Sequence, residues 1–259
     1  MEGLVPQGDE YRTGPGGISL CARALPSLSF YRTMAAIVFR ASSLAKRSRY
    51  KTKEWAHSSL DIARALESVG VNISVTGVDH FRNLEGPCVF IANHMSTLET
   101  FVLPAIIAPI KDVTFVVKQS LVDYPVFRHV MRSRDPVTVG RTNPRDDLRA
   151  VLEGGAGRLG AGRSMIIFPQ TTRALDFDPG MFNTIGIKLA KKAGAPVVPI
   201  ALKTDAWGNG KHLKDFGRID PSKKVHFAFG EPLLIKDRGT EEHARIIEFI
   251  ARKLEEWNG

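Results

Sequence analysis

Apolar positions along the chain fall into short runs that alternate with longer segments of helical spacing. The clearest run is residues 88–92, Cys-Val-Phe-Ile-Ala, which is apolar at every position and follows Gly86 and Pro87. A strand that is apolar on both faces is typical of the middle of a parallel or mixed sheet. This run therefore predicts a central, buried strand.

The spacing of apolar positions changes directly after this run. Ser96 and Glu99 stand three residues apart, ahead of an apolar stretch that extends to Ile107. That order is the signature of a helix that begins with a capping box. His94 thus lies in the predicted strand-to-helix turn, close to backbone N–H groups that the helix start leaves unpaired.

Similar runs predict the remaining strands, and helical spacing predicts the segments between them. The strands are expected at residues 71–75, 112–118, 137–141, 164–168, 197–202 and 225–229, with helices at 143–159, 186–193 and from 240 onward. Strands that alternate with helices indicate an α/β fold. Residues 71–259 are accordingly predicted to form a single layered domain with a roughly seven-stranded mixed sheet flanked by helices.

The segment before this domain has a different pattern. Residues 1–28 are rich in Gly and Pro and lack periodicity, which predicts a mobile tail. Residues 29–70 are predicted to form two amphipathic helices. In the first, apolar positions such as Phe30, Met34 and Ile37 accompany a run of cations that includes Arg40 and Lys46. Two interpretations stay open, a helix that docks on a membrane surface and a core helix with a solvated basic face.

Composition narrows the class of partner without choosing one. The 259 residues carry a formal net charge of +9, which favours nucleic acid, a phospholipid surface or phosphorylated substrates. The two cysteines, Cys21 and Cys88, are too few for a disulfide framework or a cysteine zinc site, which fits a reducing cytosol. No apolar stretch approaches the roughly 18 residues of a membrane span, and no secretory signal is visible. Any membrane contact is therefore expected to be peripheral.

The candidate chemistry centres on His94 and Glu99. A carboxylate at this spacing can orient an imidazole so that one ring nitrogen is held ready to take a proton. The same spacing occurs three more times, at His80/Glu85, His226/Glu231 and His243/Glu248, so only the strand-to-helix context distinguishes His94. The competing interpretation is that Glu99 merely completes the capping box.

Other strand ends carry polar and cationic residues. Lys118 and Arg141 each end a predicted strand, and the strand at 164–168 runs into Pro-Gln-Thr-Thr-Arg, residues 169–173. Two glycine patterns between residues 155 and 164 approach phosphate-binding motifs, but they follow a helix and lead into a strand, the reverse of the order that phosphate binding needs. The triplet Asp215-Phe-Gly217 resembles a kinase motif without its companions, so it is not assigned a role.

Four ordered blocks at these strand ends resemble those of the glycerolipid acyltransferases, most closely the bacterial 1-acylglycerol-3-phosphate acyltransferases. The blocks are Asn93-His94-x4-Glu99, Gly140-Arg141, residues 168–173 and Val198-Pro199-Ile200, with Lys118 ahead of the second. The resemblance covers roughly residues 30–235. The family pattern has Asp where this chain has Glu99, and Glu-Gly where it has Gln170-Thr171. The loss of a negative charge at 170 bears on the identity of the acceptor more than on the chemistry.

This resemblance implies transfer of a fatty acyl group from acyl-CoA or acyl carrier protein to the free hydroxyl of a lysophospholipid, most simply 1-acylglycerol-3-phosphate. His94 and Glu99 are the implied catalytic residues. The implied substrate-binding residues are Lys118, Arg141, Gln170, Thr171, Thr172 and Arg173. No metal or bound cofactor is implied. The partners expected are the lysophospholipid acceptor, the acyl donor and an anionic membrane surface at the cytoplasmic face of the cell membrane, without nucleic acid.

Two alternatives remain. The acceptor could be another lysolipid, glycerol-3-phosphate or the lyso-form of an amino-acid lipid. In a different class, the protein could be a catalytically silent lipid-binding relative, because two positions depart from the family pattern.

Overall fold

The computed structural model describes residues 3–5, 7–170, 172–210 and 214–259. Within these residues, eight strands form one mixed sheet, and the helices cover its two faces. The predicted α/β class and the two N-terminal helices ahead of the sheet are confirmed. Seven of the strands lie where apolar runs predict them, within a few residues.

The bounds of the elements follow chain order. The strands are β1 (Tyr11–Arg12), β2 (Ile73–Thr76), β3 (Val89–Ala92), β4 (Val113–Lys118), β5 (Val137–Val139), β6 (Ser164–Ile167), β7 (Val197–Lys203) and β8 (Val225–Phe229). The helices are α1 (Leu20–Ala24), α2 (Pro26–Lys46), α3 (Thr52–Ser68), α4 (Asp79–Arg82), α5 (Leu98–Ile107), α6 (Gln119–Asp123), α7 (Phe127–Ser133), α8 (Pro144–Gly160), α9 (Ile185–Ala193) and α10 (Thr240–Asn258).

The strand order is β1-β2-β8-β7-β3-β6-β4-β5. Strand β3 pairs in parallel with both β6 and β7, and β4 pairs in parallel with β5 and β6. The carboxyl ends of these five strands therefore meet at one edge of the sheet. This edge is where ligands bind in open α/β sheets. The candidate residues follow the carboxyl ends of these strands in the sequence, so the fold brings them to this edge.

Each face of the sheet packs against its own group of helices. Alternate side chains of β3 divide between them: Phe90 belongs to the cluster with α2, α3 and α5, whereas Val89 and Ile91 belong to the cluster with α8, α9 and α10. Because both faces are covered, every residue of β3 is buried. This explains why the strand is apolar throughout.

The structure differs from expectation within the N-terminal 28 residues, where several of the described residues contribute to the fold. Strand β1 pairs antiparallel with β2, Tyr11 opposite Val75 and Arg12 opposite Ser74. Leu4 and Val5 are buried. A two-residue strand has too few positions to show a period, so its place depends on the neighbouring strand and not on its own sequence.

The apolar stripe of α2 faces the protein interior. Phe30, Met34 and Ile37 are buried in the core, and the Phe30 ring lies edge-on to Trp207 with centroids 4.9 Å apart. The core interpretation of this stripe is therefore the correct one. The opposite face of α2 exposes Leu28 and Phe39.

Candidate active site

The turn after β3 is fastened to the neighbouring strand. Asn93 donates from Nδ2 to the Leu202 carbonyl and accepts from the Leu202 N–H, both at 2.8 Å. These two hydrogen bonds act like an extra step of the β3–β7 ladder. They place the next residue, His94, at the edge of the sheet where the strands end.

His94 is paired with Glu99. Its Nδ1 lies 2.9 Å from Glu99 Oε1, and the His94 side chain is 15% exposed whereas that of Glu99 is fully buried. Burial raises the pKa of the Glu99 carboxyl, but hydrogen bonding and charge from His94, together with the Thr204 hydroxyl, hold that pKa below its usual value. An ionised carboxylate only accepts, so Nδ1 carries the proton and Nε2 is the basic nitrogen.

Glu99 also closes the turn that begins α5. Its Oε1 accepts the Met95 and Ser96 N–H groups at 2.7 and 2.9 Å, and Ser96 Oγ accepts the Leu98 N–H at 3.1 Å. Orientation of the imidazole and closure of the turn ahead of α5 are thus two functions of a single carboxylate, although the N-cap of α5 is Thr97, without a side-chain capping hydrogen bond. The two interpretations of this residue do not exclude each other.

The third block surrounds His94. The Phe168 ring stacks on the imidazole with centroids 4.4 Å apart, and the Ala174 N–H donates to the His94 carbonyl at 3.0 Å. Gln170 Oε1 accepts the His94 N–H at 2.6 Å. Because this oxygen is engaged by the backbone, the buried Gln170 holds the histidine peptide in place.

One cavity of about 1120 Å³ gathers the candidate residues of the described chain. Its walls include His94, Lys118, Arg141, Gln170, Thr172 and Arg173. Thr171, the remaining candidate, lies outside the described residues. Glu99 stands behind His94 in the wall.

Arg141 projects from a turn that Asp147 organises. The Asp147 carboxylate accepts the Gly140 and Arg141 N–H groups at 2.8 and 2.9 Å. Arg141 has a φ of 59°, in the left-handed region that non-glycine residues seldom adopt. The two hydrogen bonds hold this backbone conformation, so the direction of the arginine depends on Asp147.

Arg173 is held by two partners. Its Nη2 lies 2.7 Å from Asp215 Oδ1, and its Nη1 donates to Thr97 Oγ1. The cation predicted to bind phosphate is therefore also part of an ion pair that joins the third block to the loop after β7.

Two residues of the site, Asp215 and Thr204, are not predicted from the sequence. Asp215 belongs to the triplet that was not assigned a role. Thr204 follows β7 and donates from Oγ1 to Glu99 Oε2 at 2.7 Å. Its position directly after β7, four residues beyond the fourth block, is the available indication.

The remainder of the cavity is predominantly apolar, with Arg134 over the Trp55 ring as a charged exception. Its walls here come from α2, α3, α7 and β4, and include Met34, Trp55, Phe115, Phe127 and Met131. The site thus combines cations at the strand ends with an adjoining apolar chamber, and the His94–Glu99 pair stands at the strand ends.

This arrangement agrees with the comparisons with known proteins. Residues 72–203 match the Acyltransferase family, and the chain belongs to that family. It is 29% identical over 189 residues to a 1-acyl-sn-glycerol-3-phosphate acyltransferase of Pseudomonas aeruginosa, covering 69% of this chain and 71% of that protein. A chloroplastic 1-acyl-sn-glycerol-3-phosphate acyltransferase of Brassica napus is 31% identical over 53% of this chain and 38% of its own length.

A solved structure shares the fold. The 1-acyl-sn-glycerophosphate (LPA) acyltransferase PlsC of Thermotoga maritima superposes with a TM-score of 0.70, covering 92% of this chain and 96% of that one at 23% identity. In the part of the chain that the structure describes, no helix is both long enough and apolar enough to cross a membrane.

Proposed function

We propose that the protein transfers a fatty acyl group from acyl-CoA or acyl carrier protein to the free hydroxyl of 1-acylglycerol-3-phosphate, giving phosphatidic acid. The observation that carries this proposal is the His94–Glu99 pair, 2.9 Å apart, with His94 lining a cavity that combines cations at the strand ends with a mostly apolar chamber. The relationship to 1-acyl-sn-glycerol-3-phosphate acyltransferases supports the choice of acceptor.

In the proposed reaction, His94 Nε2 takes the proton of the acceptor hydroxyl as its oxygen attacks the thioester carbonyl carbon. The new C–O bond forms, the C–S bond breaks, and the thiolate leaves with the proton returned by the imidazolium. General base catalysis of this kind contributes typically about 10²- to 10⁴-fold. Glu99 keeps the proton on Nδ1 and stabilises the imidazolium.

The cations supply the proposed phosphate site. Arg141 and Arg173 stand on the cavity wall with Lys118, and a guanidinium suits bidentate contact with a phosphate. Two further lysines on the same wall, Lys188 and Lys214, add to the positive field. A dianionic headgroup matches this charge better than a zwitterionic one.

The apolar chamber supplies the proposed place for an acyl chain. Aromatic and aliphatic side chains of α2, α3, α7 and β4 line it, and burial of each methylene contributes about 0.8 kcal/mol. Because the chamber adjoins His94, a chain that occupied it would present its first carbons at the strand ends.

A thioester-release assay tests the proposal. Release of free thiol from acyl-CoA or acyl carrier protein is measured with 1-acylglycerol-3-phosphate, glycerol-3-phosphate, a zwitterionic lysophospholipid and the lyso-form of an amino-acid lipid. We expect the first acceptor to give the highest kcat/KM, with His94→Ala as the inactive control. Preference for another acceptor overturns the substrate, and no release with any acceptor supports a silent relative.

We further propose that residues 29–70 dock the protein on an anionic membrane surface. The buried stripe of α2 is not available for this contact, but Phe39 and, just before this segment, Leu28 are exposed on the outer face, 63% and 64% respectively. Arg32, Arg40, Lys46 and Arg47 are exposed on the same helix and at its end. Apolar groups among cations are what an interfacial helix needs.

A further inference from the structure

Hydroxyl groups donate to only one of the two oxygens of Glu99. Oε1 contacts His94 Nδ1 and the backbone N–H groups of the turn. Oε2 accepts from two hydroxyl groups, those of Ser96 at 3.0 Å and Thr204 at 2.7 Å, and also from the Ser96 N–H at 3.1 Å. A fully buried carboxylate remains ionised only if such donors replace the water it has lost.

The two hydroxyl groups are not equivalent. Ser96 Oγ has a single proton but three acceptors within reach, because it lies 2.9 Å from the Thr204 carbonyl and 3.0 Å from Thr204 Oγ1 as well as from Glu99. Thr204 Oγ1 makes the shortest contact of either hydroxyl with Glu99. The Thr204 proton is therefore the more constant donor to Oε2.

Thr204 is itself rigidly placed. It is fully buried at the end of β7, its N–H contacts Met95 Sδ at 3.3 Å, and β7 is fastened to β3 through Asn93. Its hydroxyl is thus aimed at Glu99 before any substrate binds. A donor directly after β7, 105 positions along the chain from Glu99, thus completes the environment of the carboxylate.

We infer that Thr204 is a positioning residue for His94, acting through Glu99. By donating to Oε2, the hydroxyl holds the carboxylate in the rotamer and the ionised state that keep the imidazole proton on Nδ1. This inference rests on the proposed role of His94 as the base. It adds to the site a residue beyond the four blocks.

Four charged or titratable residues of the described chain lie close to this network. His94 contacts Glu99 directly. The others are Arg173 and Asp215, which reach Thr97 from the third block and the loop after β7, and Asp205, which follows Thr204 and pairs with Lys223 at 2.8 Å.

The test compares Thr204→Val, which removes the hydroxyl at nearly constant volume, with Thr204→Ser, which keeps it. We expect Thr204→Val to lower kcat about 10-fold with little change in KM, because a charge-assisted hydrogen bond is lost from the orienting group. The acidic limb of its pH–rate profile should move to higher pH, since Glu99 loses a donor to its ionised form. Thr204→Ser should stay within about 2-fold of wild type.

Ser164→Ala is the matched control. Ser164 is also fully buried, and its Oγ accepts the Cys88 N–H at 3.1 Å at the opposite end of the central strands. This variant should lose stability but keep both kcat per folded molecule and the pH profile. If Thr204→Val behaves like Ser164→Ala, Thr204 is only structural and the inference is overturned.

Two further measurements cover the remaining cases. The ¹⁵N signals of the His94 ring, assigned by their loss in His94→Ala, report the tautomer without any substrate, so they separate failure of this inference from failure of the proposed reaction. Wild type should show the proton on Nδ1, and Thr204→Val a mixture. If Thr204→Val does not fold, Thr204→Cys, whose thiol is a much weaker donor, should shift the tautomer in the same direction, and an unchanged tautomer in that variant overturns the inference.

Discussion

Arg173 and Asp215 form an ion pair at 2.7 Å that links the third strand-end block to the loop after β7. The Arg173 side chain is 17% exposed and that of Asp215 44%. A pair of this exposure contributes about 0–1 kcal/mol, so an incoming phosphate can replace the carboxylate at little cost. In the proposed reaction, Asp215 would therefore compete with the phosphate of the acceptor for Arg173.

Asp215→Asn should therefore lower KM for a phosphorylated acceptor about 2- to 5-fold and leave KM for the acyl donor unchanged, because the competing charge is removed. Steady-state kinetics with each substrate varied in turn measures this. Asp112→Asn is the matched control, since Asp112 pairs with Arg163 at 2.8 Å and is 42% exposed. A raised KM for the acceptor in Asp215→Asn would mean that the carboxylate orients Arg173 instead.

His94→Ala should reduce kcat/KM by about 10²- to 10⁴-fold, whereas Glu99→Gln should retain measurable activity, because loss of the base removes a role that loss of its orienter only weakens. Both variants should remain folded by circular dichroism. Near-normal turnover in His94→Ala would show that the base is elsewhere. If Glu99→Gln lowers only the melting temperature, the carboxylate serves solely to close the turn ahead of α5.

Arg141→Ala should raise KM for the phosphorylated acceptor about 10-fold or more, in keeping with the loss of a charged hydrogen bond, and spare KM for the donor. Arg173→Ala should have the same pattern, with the ion pair to Asp215 lost as well. Kinetics of the two substrates and thermal unfolding are measured together. An equal effect on both substrates, together with lost stability, would indicate a structural role.

Membrane docking predicts salt-sensitive binding to anionic vesicles. Each Lys or Arg near the surface contributes about 1 kcal/mol, and this attraction weakens as salt shortens the Debye length. In liposome sedimentation, replacement of Arg40, Lys46, Arg47 and Arg49 by Gln should weaken binding, although Arg40 also contacts Asp61. Equal binding to neutral and anionic vesicles, without salt dependence, would exclude an electrostatic contribution to docking. Absence of binding would exclude docking itself.

The lowered pKa of His226 predicts that the folded protein loses stability in mild acid. Burial and the nearby charges of Lys203 and Lys224 lower its pKa from 6.5 to about 4. Between these values the unfolded chain binds a proton that the folded chain does not, so the free energy of unfolding falls as the pH drops through this window. His226→Gln should flatten that part of the curve of melting temperature against pH. Curves that remain parallel from pH 7 to 4.5 would remove His226 as a cause.

Much of the fold was determined by the sequence alone, because burial on both faces of a sheet demands runs such as residues 88–92. The change of period at Ser96 likewise located the turn that carries His94. Glu99 follows His94 by five positions, a spacing that predicted contact between the two side chains, and the structure shows this contact. These are local relationships, in which spacing along the chain limits the distance in space.

Tertiary structure decided what depends on distant partners. An amphipathic pattern shows that α2 has an apolar face but not what covers it, and only packing against Trp207 put Phe30 in the core. Thr204 reaches Glu99 and Asp215 reaches Arg173 because strands far apart in sequence end at one edge of the sheet. No periodicity encodes such meetings, since they arise from the order in which the strands pair.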